Sequence, residues 1–209
     1  DSALTSNTTG GYNSAFGGAA LFINNGTFNS AFGDSALTSN TTGGANNAFG
    51  ANSLYYNTTG QNNVAVGESA SMKNNFATST VAVGTAAGRG GGSSFNAGYY
   101  TAVGASSLYS IRTGAENNTA VGYRSGYVVS TGANNILIGY QAADALTTGS
   151  NNIVIGYDID ARAVDASNTL NIGNIIFGDG LVGTGTTIRG RVGIATSTPW
   201  RMDSGDFGF

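Results

Sequence analysis

The sequence contains no cysteine and no histidine, and only one proline and one tryptophan in 209 residues. Without cysteine there is no disulfide, thiolate nucleophile or Cys-based zinc site. Without histidine there is no imidazole general base. Most hydrolase and metalloenzyme mechanisms fall away together, and neither a metal nor a cofactor is expected. Charged residues are 9% of the chain, against about 25% in an ordinary soluble domain, so disorder driven by charge repulsion is not expected. Apolar residues make up 40%, but in short runs, far from the roughly 18–20 consecutive residues of a membrane helix. No direct membrane insertion follows. The net charge of −3, with only 8 Lys+Arg, argues against a phosphate-binding surface, and no nucleic-acid partner is expected. Glycine is what abounds, at 34. It lacks the every-third-residue period and the proline that collagen needs. No basic, apolar leader opens the chain. It starts in the middle of a repeating pattern and reads as a segment of something longer.

That pattern decides the fold. A small or apolar residue, then a β-branched or aromatic residue, then Gly recurs as Ala15-Phe16-Gly17, Ala31-Phe32-Gly33, Ala48-Phe49-Gly50, Ala65-Val66-Gly67 and Ala82-Val83-Gly84. It continues as Ala102-Val103-Gly104, Ala120-Val121-Gly122, Leu137-Ile138-Gly139, Val154-Ile155-Gly156 and Asn171-Ile172-Gly173. These anchor glycines are spaced 16, 17, 17, 17, 20, 18, 17, 17 and 17 residues apart. A second turn signal lies about seven residues before each anchor, for example the identical Asn7-Thr8-Thr9-Gly10, Asn40-Thr41-Thr42-Gly43 and Asn57-Thr58-Thr59-Gly60. Each repeat reads as strand, turn, strand, turn. The pairs Val64/Val66, Val81/Val83, Ile136/Ile138 and Ile153/Ile155 would share one side of a strand. Seventeen residues are too few for a helix-containing repeat. The expected fold is all-β, a parallel β-roll or β-solenoid of about ten 17-residue coils. At about 4.8 Å per coil it makes a rod of roughly 50 Å.

Individual positions have readable roles. The anchor Gly is expected to take a positive φ or to admit a neighbouring backbone. Its loss should cost more than loss of Gly90, in the irregular coil. The third residue after the anchor is small, as at Ala20, Ala36, Ser53, Ala70, Ala87, Ser107, Ser125 and Ala142, and should fill a narrow space between two sheets opposite larger side chains. Asn46-Asn47, Asn62-Asn63, Asn117-Asn118, Asn134-Asn135 and Asn151-Asn152 are placed to form amide ladders from coil to coil. So thin a roll exposes an edge at each end, and association of several chains is the simplest remedy. The anchor tripeptides change from Phe to Val to Ile along the chain, which suggests an interface that changes shape along the rod.

Asn63-Val64-Ala65-Val66-Gly67-Glu68-Ser69-Ala70 and Asn118-Thr119-Ala120-Val121-Gly122-Tyr123 resemble the head repeats of trimeric autotransporter adhesins. The Asn-Thr-Thr-Gly turns are similar to head-like repeats of phage tail fibres and of bacterial surface fibre proteins. The resemblance covers residues 1–173. It implies a left-handed parallel roll, assembled as a homotrimer, that displays a surface for cells, matrix proteins or glycans. Adhesin coils are somewhat shorter than 17 residues, so no ligand contacts carry over. Residues 174–209 read as a transition to a further domain or stalk. Ile172–Gly178 and Val192–Trp200 are similar to segments upstream of a self-cleaving chaperone in tail fibres, although Ala195 stands where Gly is common. The Ser-Asp cleavage pattern is not found, since Ser204 precedes Gly205.

Candidate functional residues are few. Tyr123, Tyr140 and Tyr157 each follow an anchor Gly and should stack, either as chain-to-chain packing or as a sugar or protein contact. Arg89 opens the Gly-rich run of the 20-residue coil, which lacks the ending of a phosphate loop; residues 85–100 read as a protruding loop, with ligand binding the alternative. Asp158, Asp160 and Asp165 lack calcium-loop spacing and read as solvated turn carboxylates. Asp179/Asp203 and Glu68/Glu116 sit in distant coils, too far apart for paired catalysis. Asn7, Asn25, Asn40, Asn57 and Asn117 match the glycosylation pattern, as a turn-rich Asn/Thr sequence will. The expectation is a non-enzymatic extracellular fibre segment, with a phage tail-fibre shaft or an ice-binding solenoid as alternatives. The ice-binding reading needs a flat threonine face. Thr9, Thr42 and Thr59 begin one, and it lapses at Phe76 to Thr78.

Overall fold

A computed structural model describes residues 2–92, 95–182 and 189–194. Among the described residues there is no helix. Ten three-residue strands run in chain order: β1 (Ser14–Phe16), β2 (Ser30–Phe32), β3 (Asn47–Phe49), β4 (Val64–Val66), β5 (Val81–Val83), β6 (Thr101–Val103), β7 (Thr119–Val121), β8 (Ile136–Ile138), β9 (Ile153–Ile155) and β10 (Leu170–Ile172). Each pairs in parallel with the next. Register is kept throughout, so Phe16, Phe32, Phe49, Val66 and the residues that follow them lie opposite one another. The chain is therefore a β-solenoid of about nine turns, each turn one repeat.

Each coil has one strand, not the two expected. The segment after the anchor does not become a second strand because alternate residues take the left-handed conformation. Ser35 and Leu37 have φ of +56° and +51°, and Asn52 and Leu54 of +57° and +49°. Such φ values break the pleat that a strand requires. Hydrogen bonds still run along the axis: Ser35 N–H donates to Gly18 C=O (2.7 Å) and Leu37 N–H to Ser53 C=O (3.0 Å). Backbone groups that a lone coil would leave unpaired are satisfied by its neighbours, so a single repeat has no stable form.

The interior is narrow and graded in size. The central strand residues Ala31, Ala48, Ala65, Ala82, Ala102 and Ala120 point inward and are fully buried, as are the small residues three places after each anchor. Leu21, Leu37, Leu54 and Leu108, on the opposite limb, fill the space against those alanines. Where the strand residue enlarges to Leu137, the limb residue shrinks to Gly126. A Cβ on Gly126 would lie 2.7 Å from Leu137 Cδ1 and 3.0 Å from Leu108 Cδ2. The same exchange surrounds Tyr100, which is buried and reaches across to Ser71 (O···O 2.7 Å) and Gly88. Core volume is thus held roughly constant coil by coil.

The Asn ladders form as expected. Asn63 Nδ2 donates to Asn46 Oδ1 (2.8 Å) and Ala77 C=O (2.6 Å), while its Oδ1 accepts from Thr80 N–H (3.0 Å) and Thr80 Oγ1 (2.8 Å). Asn118, Asn135 and Asn152 repeat the arrangement. A second buried column, Asn24, Asn40, Asn57 and Asn74, becomes Ile111, Val129 and Leu146 in later coils. Parallel pairing stops after β10. β11 (Ile176–Val182) turns back antiparallel on it, and β12 (Arg189–Ile194) pairs antiparallel with β11. The edge of β10 is therefore covered.

The anchor glycines satisfy both expected reasons at once. Gly67 has φ +127°, and a Cβ there would lie 2.6 Å from the carbonyl carbon and oxygen of Gly84. Gly173 ends the series with φ +58° and nothing within 4 Å. Gly90 is more constrained than expected: its φ is +92°, and a Cβ would meet the Phe95 ring at 2.1 Å.

Candidate functional site

The outer surface is organised in columns, because each position of the repeat lies over its counterpart in the next coil. The first column is on the sheet. The outer strand residues face away from the core, so the valine and isoleucine pairs share a side, and that side is outward. Val64 and Val66 are 36% and 38% exposed while Ala65 between them is buried. The position before each anchor is apolar in every coil, from Phe16 through Val66 and Val121 to Ile172. Phe32 and Phe49 stack within this column at 4.9 Å. An apolar stripe running the full length of a sheet face is unusual on a protein that stays monomeric.

The second column follows the anchors. Tyr123 and Tyr140 stack at 5.3 Å, and Tyr140 and Tyr157 at 5.0 Å. The expected ladder is present, and its chemistry follows from that stacking. Tyr140 has a ring on each face, so the row offers hydroxyl edges rather than open aromatic faces. Tyr157, 74% exposed, is the end of the row.

The third column lies on the limb opposite the sheet and contains Arg89. The Arg89 guanidinium sits 5.2 Å from the centre of the Tyr109 ring, and its Nη1 donates to the Tyr109 hydroxyl (2.9 Å). Tyr109 stacks on Tyr127 at 5.0 Å, and the Arg124 guanidinium lies 4.2 Å from the Tyr127 ring centre. The order along the rod is cation, ring, ring, cation. Sequence reasoning singled out Arg89 but gave Tyr109 and Tyr127 no role of their own. It missed Arg124, which stands two places after its anchor, where the six preceding coils carry Ala, Ser or Asn. The available signal was the matching offset of Arg89, Tyr109 and Tyr127, each five residues after an anchor.

In the stretch 85–100 the described residues are tied down rather than free. Phe95, Ala97 and Tyr100 are buried, Asn75 N–H donates to Phe95 C=O (2.9 Å), and Lys73 Nζ donates to Gly92 C=O (2.6 Å). Burial pushes the Tyr100 hydroxyl pKa up, more than its hydrogen bonds to Ser71, Asn74 and Thr80 lower it. Among the acidic residues, Asp160 Oδ1 accepts from Ala145 N–H (3.0 Å). Its pKa is raised by partial burial first, with Asp144 and Asp158 adding to the effect. No group of acidic side chains suited to hold a metal ion forms among the described residues. Of the glycosylation matches, Asn40 and Asn57 are fully buried in the amide column, whereas Asn25 and Asn117 are exposed. Thr41 and Thr58 hydroxyls donate to backbone carbonyls one coil on (3.0 and 3.1 Å), and Thr9, Thr42 and Thr59 face solvent beside them.

Where the roll meets β11, a cavity of about 340 Å³ opens between Asp160, Asn171, Phe177 and Asp179. An exposed ion pair joins Arg162 to Asp179 (3.4 Å) at its rim. Asp203, Ser204, Gly205 and the segment Ala195–Trp200 lie outside the described residues. Comparison of the chain with protein-family models, with curated proteins and with solved structures returned no match.

Proposed function

We propose that this chain is a non-enzymatic segment of an extracellular fibre, a rigid left-handed roll that associates with copies of itself as a homotrimer and displays a binding surface. The single observation that carries the reading is the apolar column on the outside of the sheet. Burying a Phe, Val or Ile side chain is worth about 1.5–3 kcal/mol, and this sheet places such a residue at the outward position before every anchor, while its inward position holds only alanine from β1 to β7. The arrangement is that of a surface awaiting a partner along its whole length. A second copy fits best, because a straight column with a constant repeat matches an identical column coil for coil. The remaining faces, with their tyrosine and arginine columns, are then left for attachment to cells, matrix or glycans. Long axial hydrogen-bonded stacking, without disulfides, suits a spacer that must stay stiff outside the cell or on a virion.

The test is mass in solution by light scattering, with electron micrographs for symmetry. The parent protein is expected at three chains. Phe49→Glu/Val66→Glu/Val83→Glu, with an unchanged far-ultraviolet spectrum, is expected to fall to one. A compact monomer of the parent protein at micromolar concentration would overturn the association.

A further inference from the structure

We propose that the limb bearing Lys73, Arg89, Arg112 and Arg124 is a binding site for an acidic polysaccharide, laid along the rod and held through its sulfate or carboxylate groups. The inference rests on the display half of the reading above and is independent of how many chains associate.

The chain is acidic overall, yet four of its 8 basic residues fall between positions 73 and 124 and gather on one limb. Lys73 N–H donates to Arg89 C=O one coil on (3.0 Å), and Gly90 N–H to Tyr109 C=O (3.0 Å). Lys73 Nζ reaches Gly92 C=O, and Arg112 Nη2 lies 3.9 Å from where a Cβ on Gly92 would stand. Arg89 and Arg124 close the two ends of the Tyr109–Tyr127 stack. The cations thus span four successive coils, about 15 Å at the usual strand spacing.

Among the described residues none of the four has a carboxylate partner, and the one ion pair is Arg162 with Asp179. Glu68 and Glu116, the acidic residues of the same stretch, lie elsewhere on the coil, directly after Gly67 and just ahead of β7. Arg124 Nε is buried with no hydrogen-bond partner. A run of unneutralised cations costs self-repulsion that an anionic ligand relieves.

The rings decide which anion. A neutral sugar or a nucleobase binds an aromatic side chain through its open face. Tyr109 is covered by Arg89 and Tyr127, and Tyr127 by Tyr109 and Arg124. What remains accessible is guanidinium N–H, ammonium and phenol edge. Those groups suit planar or tetrahedral oxyanions, which guanidinium grips bidentately. One cation comes from each of four successive coils, so the groups lie along the rod as an extended polymer of charged sugars requires.

The experiment measures binding of the intact protein to heparin, polygalacturonate, neutral dextran and a single-stranded oligothymidylate at 50 and 200 mM salt. Heparin or polygalacturonate is expected to bind, at least tenfold more weakly at the higher salt, and dextran not at all. Arg89→Gln/Arg112→Gln/Arg124→Gln should lose at least tenfold in affinity. The corresponding triple Lys variant, which keeps charge but loses the bidentate grip, should bind more tightly than the Gln variant and more weakly than the parent, with melting curves of both confirming the fold. The proposal is overturned if neither acidic polymer binds at 50 mM salt, if dextran binds equally, if the Gln variant is undiminished, or if oligothymidylate binds more tightly than both. A monomeric protein that still distinguishes the two variants would refute association alone.

Discussion

Replacing Gly67 by Ala, one methyl group in the middle of the rod, should destabilise it far more than the same change at Gly173. At φ +127° an L-residue is strained by about 1–3 kcal/mol. The new Cβ would also lie 2.6 Å from backbone atoms of Gly84 and 3.0 Å from Thr85 N, none of which can rotate away. Reaching ordinary contact requires the two coils to part by about 0.8 Å. That stretches Gly84 N–H to Val66 C=O (2.7 Å) and Ala86 N–H to Glu68 C=O (2.8 Å), at about 0.5–1.5 kcal/mol each. The total is about 2–6 kcal/mol. Gly173 has the same role in the sequence pattern but φ +58° and open space around it, so Gly173→Ala should cost about 1 kcal/mol. Urea denaturation followed by circular dichroism measures the difference. Hydrogen exchange should place the loss of protection between β4 and β5, because coils in a solenoid interact with their neighbours only. Equal effects of the two substitutions, or a Gly67→Ala cost under about 1 kcal/mol, would refute the close-approach argument.

Asn63→Ala strands Thr80 N–H and Ala77 C=O inside the roll, and a loss of about 2–4 kcal/mol is expected in the same urea assay. Gly126→Leu should be strongly destabilising alone and largely rescued by Leu137→Ala, since Leu108 and Leu54 already hold the equivalent left-handed position opposite an alanine. A double-mutant cycle by thermal melting should show coupling of about 2–3 kcal/mol. Asp160 is disfavoured as an anion in the fold, so stability falls as pH rises from the ordinary aspartate range through its raised value, and the deficit persists at neutral pH. Asp160→Asn should therefore melt higher than the parent at pH 7 and converge with it near about pH 3, below the usual aspartate value.

The period, the parallel stacking, the buried small residues and the buried Asn ladder all follow from the sequence alone. The physical reason is that a repeat of constant length puts like residues over like, and glycine and asparagine at fixed offsets leave few backbone solutions. The tyrosine ladder was legible for the same reason: Tyr123, Tyr140 and Tyr157 share one offset from their anchors. Three things were decided only in three dimensions. Ser35-Ala36-Leu37 and its equivalents are not a second strand, because left-handed φ at non-glycine residues leaves no mark in a hydrophobic pattern. The valine and isoleucine pairs face outward, because a period of two assigns residues to a common side without saying which side is the core. Arg124 joins Arg89 across two rings because side chains from different offsets converge only when the coil has closed. That closure divides this surface into an apolar column and a cationic limb.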